Sequence, residues 1–289
     1  MSVQQVTRYV AYLSQRLAPA SIPKYLNVLR ILHLEAGLPD PHVHDMYHPK
    51  AVLTGFEKLR GLTPRRMSPI TPSILLNLRA LLDLSQVDDS NMWAATLTGF
   101  FGLLRKSNLF PPTTTGFDPG KHLSRSDFQP MPWGYIVRVR WTKTIQKKER
   151  VLEIPLLALD GHPLCPVNAL RHAFRLTAGG DPCGPAFLRA VKRGLTPLLY
   201  RWYMERFRAL LKRVGCEPDE YGSHSLRRGG ASWALQCGIQ SDVIKILGDW
   251  KSQAYQAYLE VSLEQKLSHM RRFTATIPEV HVKSPAFSS

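Results

Sequence analysis

The sequence predicts a mainly α protein of two domains with one small antiparallel β-sheet. Three observations predict it. Apolar residues recur at three- and four-residue spacing through most of the chain. The apolar period changes to two only between residues 134 and 156. A stretch without apolar period, LRGLTPRRMSPITP at 59–72, separates the first helical segments from the rest. These mark a helical domain over 1–60, a linker over 61–70, a larger domain over 71–275 and a tail over 276–289.

Each element has its own signal. Val3, Val6, Val10, Leu13 and Leu17 share one helical face. A second helix follows Pro19, with Ile22, Tyr25, Leu26, Leu29 and Leu32 on one side, and stops near Gly37. Pro39 and Pro41 break the chain before a third helix at 49–59. Thr71 and Pro72 are a cap and a first-turn proline, opening a leucine-rich core helix over 73–84. WAATLTGFFGLLRKSNLF, 93–110, is another buried helix, whose apolar run ends at Arg105. In GYIVRVRWTKTIQKKERVLEIPL, Val137, Val139 and Trp141 alternate with Arg138 and Arg140, and Leu152 and Ile154 alternate afterwards. That is a β-hairpin with a basic tip. Helices return at 166–176, at 198–214 and from Ser223. Another starts near Ser241 and ends at Gly248, a C′ glycine. A short amphipathic helix carrying Tyr255 and Tyr258 follows, and the Pro- and Ser-containing tail is expected to be disordered.

Composition bounds the partners. Lys and Arg number 38 against 22 acids, a formal charge of +16, which points to a polyanion, nucleic acid before an anionic membrane surface. Apolar residues make up 44%, enough for hydrophobic cores. The longest uncharged apolar run, between Asp89 and Arg105, is shorter than the roughly 18 residues of a membrane span. No secretory signal is read at the N-terminus. Cys165, Cys183, Cys216 and Cys237 lack CxxC spacing, which fits a reducing compartment rather than a disulfide framework or zinc site.

Candidate chemistry starts at HSLRRGGASWALQCG, 224–238. On a helix, His224 and Arg227 lie on neighbouring lines, with Leu226, Gly230, Trp233, Ala234 and Cys237 on the opposite stripe. An anion at that helix start would meet free N–H groups, the positive dipole end and a guanidinium. The alternative is an ordinary exposed helix start. Arg105 stands in apolar context with no acid at 106–116, so it calls for an anion, or for a remote ion pair. Lys143 stands at the end of the first hairpin strand, before the turn proper. Tyr258 is a nucleophile only if cations stabilise its phenolate; otherwise it is a core tyrosine with a wet tip. His42, His44 and His48 form a polar connection or, less simply, a metal site.

Taken together, Arg105, Lys143, His224-Ser-Leu-Arg227, Leu247-Gly248-Asp249 and Tyr258 resemble the tyrosine recombinase (phage-integrase) family over most of 70–265. The 1–60 helices resemble, less specifically, that family's core-binding domain. GLLRKSNL and GDWKSQAYQAYL look most like recombinases of eukaryotic mobile elements, the DIRS-like and Crypton-like groups. The resemblance implies a clamp on double-stranded DNA. Tyr258 would attack a phosphodiester, Arg105 and Arg227 would hold its oxygens, Lys143 would protonate the leaving oxygen, and His224 would bind phosphate or take a proton. It implies no metal, no ATP and no other cofactor. It implies a homotetramer on two DNA sites, with residues 261–273 as a docking element; the eukaryotic subgroup further implies nuclear residence, and a bacterial one would imply cytoplasm or nucleoid.

Two departures stand out. Asn108 replaces a residue commonly acidic, and Asp249 replaces the second histidine, with Trp250 beside it. An ionised Asp cannot donate to a phosphoryl oxygen; the Trp250 indole N–H is the substitute. Arg65, Arg66, Arg206, Arg208, Lys212, Arg213 and Arg228 are the expected DNA-backbone contacts. A non-catalytic DNA-binding module and a type IB topoisomerase remain the rival readings.

Overall fold

The computed structural model describes residues 2–41, 46–60, 67–142, 145, 150–159 and 161–250. It divides into two compact units at Arg66–Met67.

The first unit has three helices: α1 (Val3–Arg16), α2 (Ile22–Glu35) and α3 (Tyr47–Arg60). A capping box opens α1: the Gln5 amide donates to Ser2 Oγ at 3.3 Å and the Ser2 amide donates to Gln5 Oε1 at 2.8 Å. Val6, Val10, Leu13, Ile22 and Leu26 form the buried core. The apolar side expected of α2 is only partly used. Tyr25 and Leu32 are exposed, as are Val28, Ile31 and Leu34. Three short helices enclose too little volume to bury two faces of one of them.

The second unit is built around α5 (Val87–Phe101), which is buried from Asp89 to Phe100: from Met92 on its sequence is apolar or small all round, and before that Asp89 pairs with Arg206 and Asn91 Oδ1 accepts from the Leu188 amide. Before it runs α4 (Pro72–Arg79), capped by Thr71, whose Oγ1 accepts from the Ile74 amide at 3.2 Å. After it comes a break. The helix expected over 93–110 is two pieces, because Leu103 turns left-handed at φ 49° and Arg105 caps a new four-residue helix, α6 (Lys106–Leu109). Then follow β1 (Phe128–Met131), β2 (Gly134–Val139) and β3 (Leu152–Leu157), antiparallel in the order β1-β2-β3. The predicted hairpin is β2–β3, with Val137 opposite Ile154 and Val139 opposite Leu152. Leu152, Ile154 and Leu156 turn inward in strict alternation. β1 escapes sequence reading because Pro130 argues against a strand; the edge position tolerates it.

The remaining elements are α7 (Pro166–Leu176), β4 (Leu188–Val191), β5 (Gly194–Pro197), α8 (Tyr200–Arg213), α9 (Ser225–Gln236) and α10 (Ser241–Leu247). The strands of the β4–β5 hairpin, four residues each, have no alternating pattern long enough to read. α9 packs on α5 at backbone distance. A Cβ on Gly230 would lie 2.1 Å from the Phe100 carbonyl oxygen, and one on Gly229 would lie 1.9 Å from that of Ile70. Backbone cannot yield as a side-chain tip can. Gly230→Ala is therefore expected to destabilise the protein by about 3 kcal/mol, read as a shift in urea midpoint at unchanged slope. Trp233 and Cys237, expected on the buried stripe, are exposed.

Residues 67–70, assigned by sequence to the linker, run along the second unit. Ser68 donates to the Glu220 carbonyl at 2.7 Å and Ile70 to that of Ser225 at 3.0 Å. They hold down the start of α9.

Candidate functional site

Three backbone turns meet around Arg227: the break after α5, the start of α9 and the turn after α10. Arg227 is 3% exposed. Its Nη1 donates to the Leu103 carbonyl and its Nη2 to the Gly248 carbonyl. Its Cζ lies 3.8 Å from the centre of the Trp250 ring, a cation–π contact. Arg105, half-buried at the head of α6, donates from Nη2 to the Asp249 carbonyl at 3.3 Å. Both guanidinium groups therefore converge on the single turn 248–250.

That turn is strained. Leu103 and Asp249 are the non-glycine residues at positive φ among the described residues, at 49° and 51°. Each costs about 1–2 kcal/mol. Charge-assisted hydrogen bonds contribute about 1.5–3 kcal/mol each. The two from Arg227, to Leu103 itself and to the residue before Asp249, are enough to hold both turns. Gly248, the glycine expected at C′, has φ −85°, and the left-handed conformation falls on Asp249. Glycine is needed at 248 for space, since a Cβ there would lie 1.6 Å from the Trp250 ring.

His224 caps α9, and Ser223 Oγ lies 3.1 Å from its Nδ1. Partial desolvation pushes its pKa below the ordinary value, and the charges of Arg227, Lys106 and Arg105 push it the same way. The neutral imidazole is thus favoured in the folded state. The unfolded chain then binds more protons as pH falls below about 6.5, so this contribution to stability is present above that pH and lost below it. His224→Gln is expected to lose less stability than the parent between pH 7 and pH 5, measured by urea denaturation at each pH.

Sequence reasoning missed Lys106 and the part played by Asn108. Lys106 joins the cation cluster and sits 4.3 Å from the centre of the Tyr200 ring; the dipeptide Arg105-Lys106 was its only signal. Asn108 is buried, and its Nδ2 donates to the Trp141 carbonyl at 2.7 Å, which an ionised acid could not do.

The structure thus brings together Arg105, His224, Arg227 and Trp250. The Asp249 carboxylate turns elsewhere: Oδ2 accepts from Thr142 Oγ1 and Oδ1 pairs with Arg150. Its expected place beside the arginines is filled by its own carbonyl and by Trp250. Lys143, Tyr258, Arg65 and Arg66 lie outside the described residues. So do His42 and His44, while His48 packs edge-on against Tyr47.

The expected backbone contacts divide. Lys212 and Arg213 are exposed at the end of α8. Arg206 instead pairs with Asp89 at 2.9 Å, and Arg208 donates to the Tyr221 carbonyl at 3.3 Å. Arg228 is corrected to a structural residue: it is 6% exposed, and its Nη1 donates to the Met67 carbonyl at 2.6 Å.

The two-unit helical architecture with its small antiparallel sheets is the tyrosine-recombinase fold. The integrase of the Tn1549 transposon, solved with transposon right-end DNA, is similar at a TM-score of 0.61 and 14% identity, over 95% of this chain and 86% of that one. The XerH site-specific recombinase, solved in a post-cleavage complex with palindromic difH, is similar at a TM-score of 0.58 and 11% identity, over 95% and 70%. No protein-family model and no curated protein matches the sequence.

Proposed function

We propose that this chain is a metal-independent, tyrosine-type DNA strand transferase, a site-specific recombinase or integrase of a mobile element. The observation that carries the proposal is the convergence of Arg105 and Arg227, with His224 and Lys106 beside them, on the turn 248–250, eight residues before Tyr258. A cluster of like charges around a buried arginine suits a polyanionic substrate. The formal charge of +16 and exposed Lys212 and Arg213 suit the same partner.

In the proposed reaction the Tyr258 oxygen attacks a DNA phosphorus in line. The O–P bond to tyrosine forms, and the bond to the 5′ oxygen breaks. Lys143 supplies the proton to that oxygen, leaving a free 5′-hydroxyl and a 3′-phosphotyrosine. Arg105 and Arg227 stabilise charge on the non-bridging oxygens as it grows. The neutral His224 takes the proton of the Tyr258 hydroxyl, or donates its ring N–H to an oxygen of the same phosphate. The covalent link conserves the bond energy, so rejoining needs no ATP. Assembly is proposed as a homotetramer on two sites, with residence in the nucleus.

The test has two stages. Fragments bound by the protein are first selected from random double-stranded DNA. A nicked suicide version of the selected site is then expected to yield a covalent adduct that survives detergent. DNA binding without any adduct would establish a binding module instead. Relaxation of any supercoiled plasmid, whatever its sequence, would establish a topoisomerase.

A further inference from the structure

Asp249 stands where the resemblance expects a histidine, yet its carboxylate does not face the arginines. It is 4% exposed and bonded on both sides to the β2–β3 hairpin. Oδ2 accepts from Thr142 Oγ1, three residues beyond the end of β2, and Oδ1 pairs with Arg150, two residues before β3 begins. Thr142 is itself buried, and its Oγ1 also accepts from the Ile145 amide at 3.1 Å. One residue earlier, the Trp141 carbonyl is held by Asn108. The two residues before Lys143 are therefore fixed from two directions, one of them Asp249. Through its backbone, the same residue shapes the turn whose carbonyls receive Arg105 and Arg227.

We propose that Asp249 is a positioning residue, a buried carboxylate that locks both roots of the hairpin to the turn between the arginines. It takes no part at the phosphate. The proposal rests on the strand-transfer reading above and adds to it how the hairpin lysine is brought into register. The buried Asp249–Thr142 contact and the Asp249–Arg150 pair make the histidine dispensable here, because the position has become a tie between elements. Restoring a histidine removes the tie.

The experiment measures single-turnover cleavage and DNA affinity on the selected site, for the parent, Asp249→Asn, Asp249→His, Thr142→Val and Thr142→Ser. A misplacement on the ångström scale costs about 100-fold in rate. Asp249→Asn and Asp249→His are expected to cleave about 100-fold more slowly, with DNA affinity near that of the parent. Thr142→Val is expected to slow cleavage in the same direction, and Thr142→Ser, which keeps the hydroxyl, to restore it. A substrate with sulfur in place of the 5′-bridging oxygen supplies the decisive readout. Its thiolate departs without a proton, so the P–S bond breaks while the O–P bond to tyrosine forms. If Asp249 acts through the hairpin lysine, this substrate recovers most of the lost rate in Asp249→Asn. No recovery would mean that Asp249 serves the phosphate directly, and a rate equal to the parent's in Asp249→Asn, or improved in Asp249→His, would overturn the proposal as well. Should a variant melt well below the parent, the Thr142 pair decides alone: equal rates for Val and Ser overturn the tie. Absence of adduct from the parent protein itself would instead defeat the strand-transfer reading, so the two failures are distinguishable.

Discussion

Arg227→Lys is expected to lower strand cleavage by about 100- to 1,000-fold while DNA affinity falls only slightly. The geometry explains the asymmetry. The Arg227 guanidinium bonds the Leu103 and Gly248 carbonyls and its Cζ lies 3.8 Å from the centre of the Trp250 ring. Only a planar fork with five donors can do this and still address a phosphate. An ammonium keeps the charge, loses the fork and stacks poorly. In the proposed complex binding is spread over many phosphates and lysine keeps the charge at this one, so the salt slope is expected to change by less than about one unit. The checks are gel-shift titrations at several salt concentrations beside single-turnover cleavage, with a thermal melt to establish folding. An affinity loss as large as the cleavage loss, in a folded protein, would show that Arg227 docks DNA rather than serving the reacting phosphate.

Tyr258→Phe is expected to leave no detectable adduct, with site affinity within about twofold of the parent's. A phenol ionises near pH 10, so attack at neutral pH depends on neighbouring cations that stabilise the phenolate. Arg105, Lys106 and Arg227, which cluster around His224, would supply them in the proposed site. Phenylalanine keeps the ring and removes the only atom that can bond to phosphorus. Detergent-resistant gel bands on the suicide substrate read the result. Adduct formation by Tyr258→Phe would move the nucleophile elsewhere, first to Tyr255, three positions earlier in the sequence.

The sequence carried much of the scaffold. The helix at Pro166–Leu176 coincides with its predicted bounds, and the alternation of Leu152 and Ile154 marked a strand. Such signals are local: a period of 3.6 or 2 is written in consecutive residues. The break inside the apolar run 93–110 was not legible, because nothing in Gly102-Leu103-Leu104 marks a left-handed leucine. That conformation is imposed from outside, by Arg227 gripping its carbonyl. β1 was hidden for a similar reason, since its strand character comes from pairing with β2 and not from its own pattern.

At the candidate site, the sequence by itself determined which chemical groups are available: two arginines, a lysine, a histidine and a tyrosine, in an order that resembles a known family. Only the tertiary structure decided which of them converge and what each departure does. Asp249 and Asn108 looked like losses in the sequence, and in the structure both hold the hairpin. Arg228 looked like a surface contact and is buried against Met67. The reason is physical. Residue type fixes charge and donor count, but the direction of these side chains depends on partners 21 to 161 positions away, and no local period records them.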